Sequence, residues 1–214
     1  MKLTVLGATG QTGLLLVEQA LSEGHQVTAL VRRKGNLPDH PNLTIRLGEL
    51  NDSETMTDAI TGSEAVISCL GPAPGRSSSL KKHSLMRTAV PAILASMTAA
   101  GVSRLILLSA LGVGNSARIT SPVARFAYKT VAKTAYDDKQ VSERSLTTSN
   151  LDWTLVYPGV LTNARTKKSA VVRDLSTITK IPGLPKVTRS AVAATLLDVA
   201  ASPAWIHKTA VITS

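Results

Sequence analysis

Three glycines spaced three apart, Gly7, Gly10 and Gly13, interleave with the polar side chains of Thr9, Gln11 and Thr12. Each glycine has a mechanical use: Gly7 for a tight turn, Gly10 for close approach of the backbone to a pyrophosphate, and Gly13 for packing a helix tightly on a strand. A helix starting here would offer open amide N–H groups and its positive end to phosphates. Roughly 20 residues past such glycines an NAD-binding unit carries an Asp or Glu for the ribose 2′-hydroxyl, whereas this chain carries Arg32 and Arg33. A guanidinium fork suits a 2′-phosphate, so NADP(H) is the expected cofactor; the alternative is an ordinary basic loop.

Further candidates stand where apolar runs end. Ser109 follows Arg104–Leu108 and is the leading candidate for contact with a nicotinamide or its substrate, the alternative being a serine that caps nearby backbone. Glu49 and Leu50 follow the run Leu43, Ile45, Leu47 and are expected to border an adenine, with a solvated loop acid as the other reading of Glu49. Leu70 and Gly71 close Ala65–Leu70 and open a Gly/Pro/Ser-rich loop suited to pass over a dinucleotide. Tyr157 and Pro158 end the run from Leu151 and are expected to wall the nicotinamide side.

These positions imply a regular scaffold. The start reads strand, glycine turn, helix, because Leu3, Val5 and Leu6 form a short apolar run and the spacing becomes helical from Leu14. Further strands are expected at His25–Val31, Asn42–Leu47, Ala65–Leu70, Arg104–Leu108, Leu151–Val156 and Lys208–Thr213. Helices are expected over Ser53–Ile60, about Leu80–Ala100 with a kink or break at Pro91, about Ser121–Thr148, and Ser190–Ala201. Such alternation predicts a single-domain α/β fold, a Rossmann-like doubly wound parallel sheet over residues 1–214. Ligands then bind at the carboxyl ends of the strands. The basic, aperiodic stretch from about 158 to 188 is expected on the substrate side, with Asn163–Thr188 as a flap.

Composition narrows the partners. The chain has 214 residues and a formal charge of +10, and between Arg118 and Arg189 thirteen Lys/Arg face five Asp/Glu. Arg125, Lys129 and Lys133 repeat every four residues as a basic stripe. Base-stacking aromatics are nearly absent, with one Phe, three Tyr and two Trp, so steering of an anionic cofactor and substrate is favoured over nucleic-acid binding. Cys69 is the only cysteine and the four histidines are scattered, so no metal site is expected. Without a signal sequence or an apolar run of about 18 residues, a cytoplasmic protein with no membrane partner is expected, as a monomer or small homo-oligomer.

Together the stretches Val5–Gly13, Leu30-Val31-Arg32, Gly48-Glu49-Leu50, the strand ending at Ser109, Tyr136-Asp137-Asp138-Lys139 and Trp153–Gly159 resemble the atypical short-chain dehydrogenases. Within them the chain is most similar to the NAD(P)H-binding group that contains biliverdin-IXβ reductase, an NADPH-dependent flavin reductase. The resemblance implies NADP(H) bound through Gly7–Gly13 and Arg32, with its ring near Ser109 and Pro158, and hydride transfer to a flavin, quinone or similar planar acceptor. The typical family would place a tyrosine four residues before a lysine as the general acid. Here Tyr136 precedes Lys139 by three, leaving a degenerate pair or a surface Lys139–Glu143 helix pair as readings of Lys139. Flavin-reducing members take their proton from water, which fits the missing pair. The family's usual Asp in the third-strand turn is Glu49 here, and its common Arg or Met before the proline is Tyr157. It also contains NADP-sensing regulators, so a redox sensor without significant turnover is the alternative function.

Overall fold

Strand β1 (Lys2–Leu6) hands the chain directly to helix α1 (Gln11–Ser22). In α1 the residues Leu16, Val17, Ala20 and Leu21 turn one apolar stripe onto the sheet. The helix ends because Gly24 takes φ +80°, letting the amides of Gly24 and His25 cap the carbonyls of Leu21 and Ala20. In the computed structural model the described residues are 1–71, 85–122, 124–125, 133–164 and 170–214. Most of the expected loop after Gly71, the start of the helix expected from Leu80, part of the basic stripe and part of the expected flap lie outside them.

The chain continues through β2 (Gln26–Val31), β3 (Leu43–Leu47), α2 (Ser53–Ile60), β4 (Ala65–Ser68), α3 (Leu85–Ala100) and β5 (Arg104–Leu108). After a 3-10 turn at Gly114–Ile119 come α4 (Lys133–Thr147), β6 (Asp152–Pro158), β7 (Val160–Thr162), β8 (Val171–Asp174), β9 (Lys186–Thr188), α5 (Arg189–Ala201) and β10 (Lys208–Thr213). Asp52 caps α2 by accepting from the Thr55 amide at 3.1 Å, and Thr188 caps α5 by accepting from Ala191 at 3.2 Å.

Eight strands form one sheet in the order β3-β2-β1-β4-β5-β6-β10-β8. Every described pairing is parallel except β10 with β8. The first six positions have the doubly wound order, whose reversal lies between β1 and β4. Alternate strand residues feed two cores. Leu3, Val5 and Ile67 pack with α1 and α5, whereas Leu6, Val66 and Leu105 pack with α2, α3 and α4.

Three expectations are corrected. Of the kink or break expected at Pro91, the break is absent, since helix α3 runs through it. Pro91 lies on the exposed face, where water can serve the carbonyl freed by its missing N–H, while Met86, Val90, Ile93 and Met97 anchor the opposite face. Tyr157 and Pro158 belong to β6 rather than to a turn, because both pair in register with Val211 and Ile212 of β10. The stretch expected as a flap supplies β8 to the edge of the main sheet and β9 to a short parallel pair with β7. Both segments are held by strand pairing.

Candidate functional site

The glycine turn sits at the point where strand order reverses. Gly7 adopts φ +78°, and a Cβ there would lie 2.9 Å from the backbone carbonyl of Cys69 at the end of β4. A Cβ on Gly13 would lie 2.2 Å from the Gly7 carbonyl oxygen. The Gly10 amide donates to that same oxygen at 3.0 Å, and a Cβ on Gly10 would come within 3.2 Å of it. Gly10 caps α1 without a side-chain hydrogen bond, and the first turn contains no acidic residue. No side chain thus caps the first-turn amides at Gln11, Thr12 and Gly13, and no carboxylate in that turn repels an anion. Thr9, Gly10 and Gln11 are exposed at this edge, while Thr12 is buried. The backbone thus forms a close-packed turn with room for a pyrophosphate, and side chains at Gly7 or Gly13 would force that backbone apart.

Arg32 and Arg33 follow β2 directly and are exposed. The loop carrying them folds against the glycine turn, since a Cβ on Gly35 would meet the Thr9 methyl at 3.1 Å. The Gly48 amide donates to the Val31 carbonyl at 3.0 Å, bringing the β3 turn alongside. Glu49 is exposed there and Leu50 packs against the core. Leu70 is half-buried beside the end of β4, and Gly71 is exposed. Arg32, Arg33, Glu49 and the glycine turn therefore share one end of the crevice.

Toward the middle of the sheet, Ser109 stands one residue past β5, with its amide donating to the Val156 carbonyl at 2.9 Å. Its hydroxyl donates to Glu143 Oε1 rather than capping backbone. The Tyr157 hydroxyl donates to Glu143 Oε2 at 2.7 Å. Glu143 is 6% exposed, Ser109 6% and Tyr157 2%, so this is a buried carboxyl clasped by two hydroxyls. Burial raises the Glu143 carboxyl above its ordinary range, outweighing the opposing pull of Ser109, Tyr157 and Lys139. Burial and the neighbouring Glu143 also raise Tyr157, which stays a neutral phenol.

Lys139 lies one helical turn before Glu143 on α4, and its Nζ donates to the Leu108 carbonyl at 3.4 Å. Burial lowers its pKa, against the opposing charges of Glu143, Asp138 and Cys69. Lys139 thereby reaches the carboxyl ends of β4 and β5, and the surface-pair reading fails because Glu143 is buried. Tyr136 donates to the Leu111 carbonyl at 3.1 Å. Cys69 has its thiol pushed up to about 12 by burial, which removes it as a nucleophile near neutral pH.

Two residues of this region escape a reading of the sequence. Glu143 follows Lys139 by four, a spacing typical of solvent-facing helix pairs. The signal for its burial is Leu146, three residues on and fully buried on the same side of α4. Asp138 accepts from the amides of Met86 at 2.8 Å and Arg87 at 3.0 Å, so α4 caps the first turn of α3. Nothing local in the sequence announces a cap contributed from a distant helix. Among the described residues no group of three His, Cys, Asp or Glu is placed to hold a metal ion.

The sequence matches the NAD(P)H-binding family over residues 7–203. A short-chain dehydrogenase/reductase of Veillonella parvula, solved in complex with NADP, superposes with a TM-score of 0.83 at 18% identity, covering 100% of this chain and 94% of that one. An anaerobillin reductase of Escherichia coli superposes at 0.76 with 24% identity, covering 100% and 97%. Among curated relatives, a chloroplastic protein of Arabidopsis thaliana is 29% identical over 170 residues, covering 76% of this chain and 60% of its own length. The aligned part spans 30% to 60% of the first three curated relatives. Matching the family across nearly all of its length, and carrying the glycine cradle where the strand order reverses, the chain belongs to the NAD(P)H-binding family.

Proposed function

We propose that the protein is an NADPH-dependent reductase that passes a hydride to a flavin, a quinone or a similar planar acceptor. The observation that carries this reading is the glycine cradle at the switch point with Arg32 and Arg33 folded beside it, at the position where an NAD-binding unit has an acid.

In this reading the open amides of Gln11, Thr12 and Gly13 bind the pyrophosphate, and Thr9 flanks it. Arg32, supported by Arg33, takes the 2′-phosphate through a bidentate, charge-assisted contact. Glu49 and Leu50 border the adenine, while Leu70 and Gly71 line the path toward the ring. Lys139 is held by Leu108 and, as an ammonium with three donors, has further capacity for a ribose hydroxyl. Ser109 and Pro158 flank the ring, and Tyr157 acts from behind by bonding Glu143. When bound, NADPH supplies the hydride, and the chain supplies position and electrostatics. The basic segment from about 158 to 188 draws in an anionic acceptor. Among the described residues no helix is long and apolar enough to cross a membrane, and a cytoplasmic location is part of the proposal.

The test is NADPH oxidation, followed by loss of the reduced ring's near-ultraviolet absorbance, with FMN, riboflavin, a simple quinone and a bilin as acceptors. The bilin is included because a solved structure of the same fold is an anaerobillin reductase. Sustained turnover with one of them supports the reductase. Tight NADPH binding with no turnover on any of them overturns it in favour of a redox sensor.

A further inference from the structure

We infer that Glu143 is the proton source of the site, acting through Ser109 to deliver a proton to the reduced acceptor. The inference rests on the reductase reading and names a residue that reading does not require. Its basis is the arrangement Tyr157–Glu143–Ser109, three side chains from β6, α4 and the end of β5 joined by two hydrogen bonds in the interior.

A carboxyl group in this position has two oxygens with separate roles. Oε2 accepts from the Tyr157 phenol at 2.7 Å, and Gly114 leaves room there, since a Cβ on it would lie 3.3 Å from that oxygen. Oε1 bonds Ser109, the member of the three at the carboxyl edge of the sheet. When Glu143 carries a proton on Oε1 it donates to the Ser109 oxygen, which frees the Ser109 hydrogen for a partner in the crevice. When Glu143 is ionised the direction reverses and Ser109 is committed to it. The protonation state of the carboxyl thus sets whether Ser109 donates or accepts.

The structure holds the second arrangement, with Ser109 donating to Oε1, and the surroundings shift the carboxyl toward the first. Among the described residues, the charged or titratable groups acting on Glu143 are Tyr157 from β6 and Lys139 from its own helix, with the Ser109 hydroxyl at the end of β5. Of the other acids on α4, Asp138 is occupied by the amides of Met86 and Arg87 and Asp137 is exposed. Tyr157 stays neutral, and desolvation of the carboxyl outweighs the pull of Lys139, so it lies above its ordinary range.

The acceptor gains an electron pair and a hydrogen by hydride addition and is left with one excess negative charge. The Ser109 O–H bond breaks toward that anion, and the Glu143 proton re-forms it, leaving a carboxylate. After product departs, Ser109 passes its proton to the Glu143 carboxylate as it takes one from a solvent water, which leaves as hydroxide. The net change consumes one proton and one reduced cofactor per two-electron reduction. Glu143 is therefore a positioning and supply residue, and Ser109 is the one that touches the acceptor.

The experiment compares the full-length wild type with Glu143→Gln and Tyr157→Phe, using the acceptor that turns over. Wild-type kcat is expected to fall as pH rises through the raised pKa of Glu143. Glu143→Gln should lose that limb and on the order of 10²-fold in kcat, with NADPH affinity within about twofold of wild type if only proton supply is removed. Tyr157→Phe removes a bond that favours the carboxylate, so the limb should move to higher pH. Independently of activity, an infrared pH titration of the cofactor-free wild type should show a protonated-carboxyl stretch, lacking in Glu143→Gln, that persists above the ordinary carboxyl range. The inference is overturned if that band is absent, or if Glu143→Gln keeps the wild-type kcat and pH profile. Equal loss at every pH with weakened NADPH binding shows a structural role and overturns it too. No wild-type turnover with any acceptor overturns the reductase reading and the relay with it, a result distinct from a wild type that turns over and a variant that does so equally well.

Discussion

Gly13 packs directly over the carbonyl oxygen of Gly7, so closely that a Cβ on Gly13 would lie 2.2 Å from that oxygen. The obstacle is backbone, not the end of a flexible side chain, and it cannot swing aside. Gly13→Ala must therefore push α1 away from β1 and open the cradle formed by its first turn. The expected cost is about 1–3 kcal/mol of stability, typical of overpacking a tight site, with NADPH binding lost or weakened by at least roughly tenfold because the open amides move. Thermal melting and fluorescence titration with NADPH check both halves. A variant that melts and binds like wild type contradicts the cradle.

Asp138 supports the site from outside it. Its carboxylate, 5% exposed, accepts two first-turn amides of α3. Asp138→Ala leaves those amides without their partner and is expected to cost about 1–3 kcal/mol, or roughly 2–4 °C of melting temperature per kcal/mol for a chain of this size. NADPH affinity should change far less than stability.

The pH dependence of stability has a sign fixed by Glu143. Its folded pKa lies above the ordinary value of 4.5, so the folded state holds this proton more tightly than the unfolded chain. Its contribution is fully present below that ordinary value and is lost as pH rises through the raised one. In urea unfolding, the wild type should therefore lose stability relative to Glu143→Gln as pH rises from about 4.5 toward neutrality. A stability difference that is flat across that range contradicts the raised pKa.

The scaffold was legible where local chemistry dictates the backbone. Gly7, Gly10 and Gly13 mark a strand-to-helix turn because steric room at those positions is needed whatever the rest of the chain does. Apolar runs likewise locate β1, β2, β4, β5 and β6, since interior parallel strands are buried on both faces, and alternation locates the edge strand β3. Legibility fails where a long-range partner decides. Lys139 and Glu143 have the spacing of a solvated helix pair, and only the approach of Ser109 and Tyr157 makes Glu143 an interior group. Tyr157 reads as a pocket wall from its place before a proline, yet strand pairing with Val211 carries it into the core. Strands β8 and β9 are short and polar enough to resemble a loop, and each exists because a distant strand, β10 or β7, provides its ladder.

The central claim, NADPH-dependent hydride transfer, is tested most directly by measuring kcat/KM for NADPH and NADH side by side in the wild type and in Arg32→Ala. Turnover is expected in the wild type with a strong preference for NADPH. Arg32→Ala is expected to lower kcat/KM for NADPH by at least roughly tenfold, the scale of one charge-assisted hydrogen bond, while leaving NADH nearly unchanged. Equal loss with both cofactors, or a wild type that uses NADH as well as NADPH, would contradict that claim.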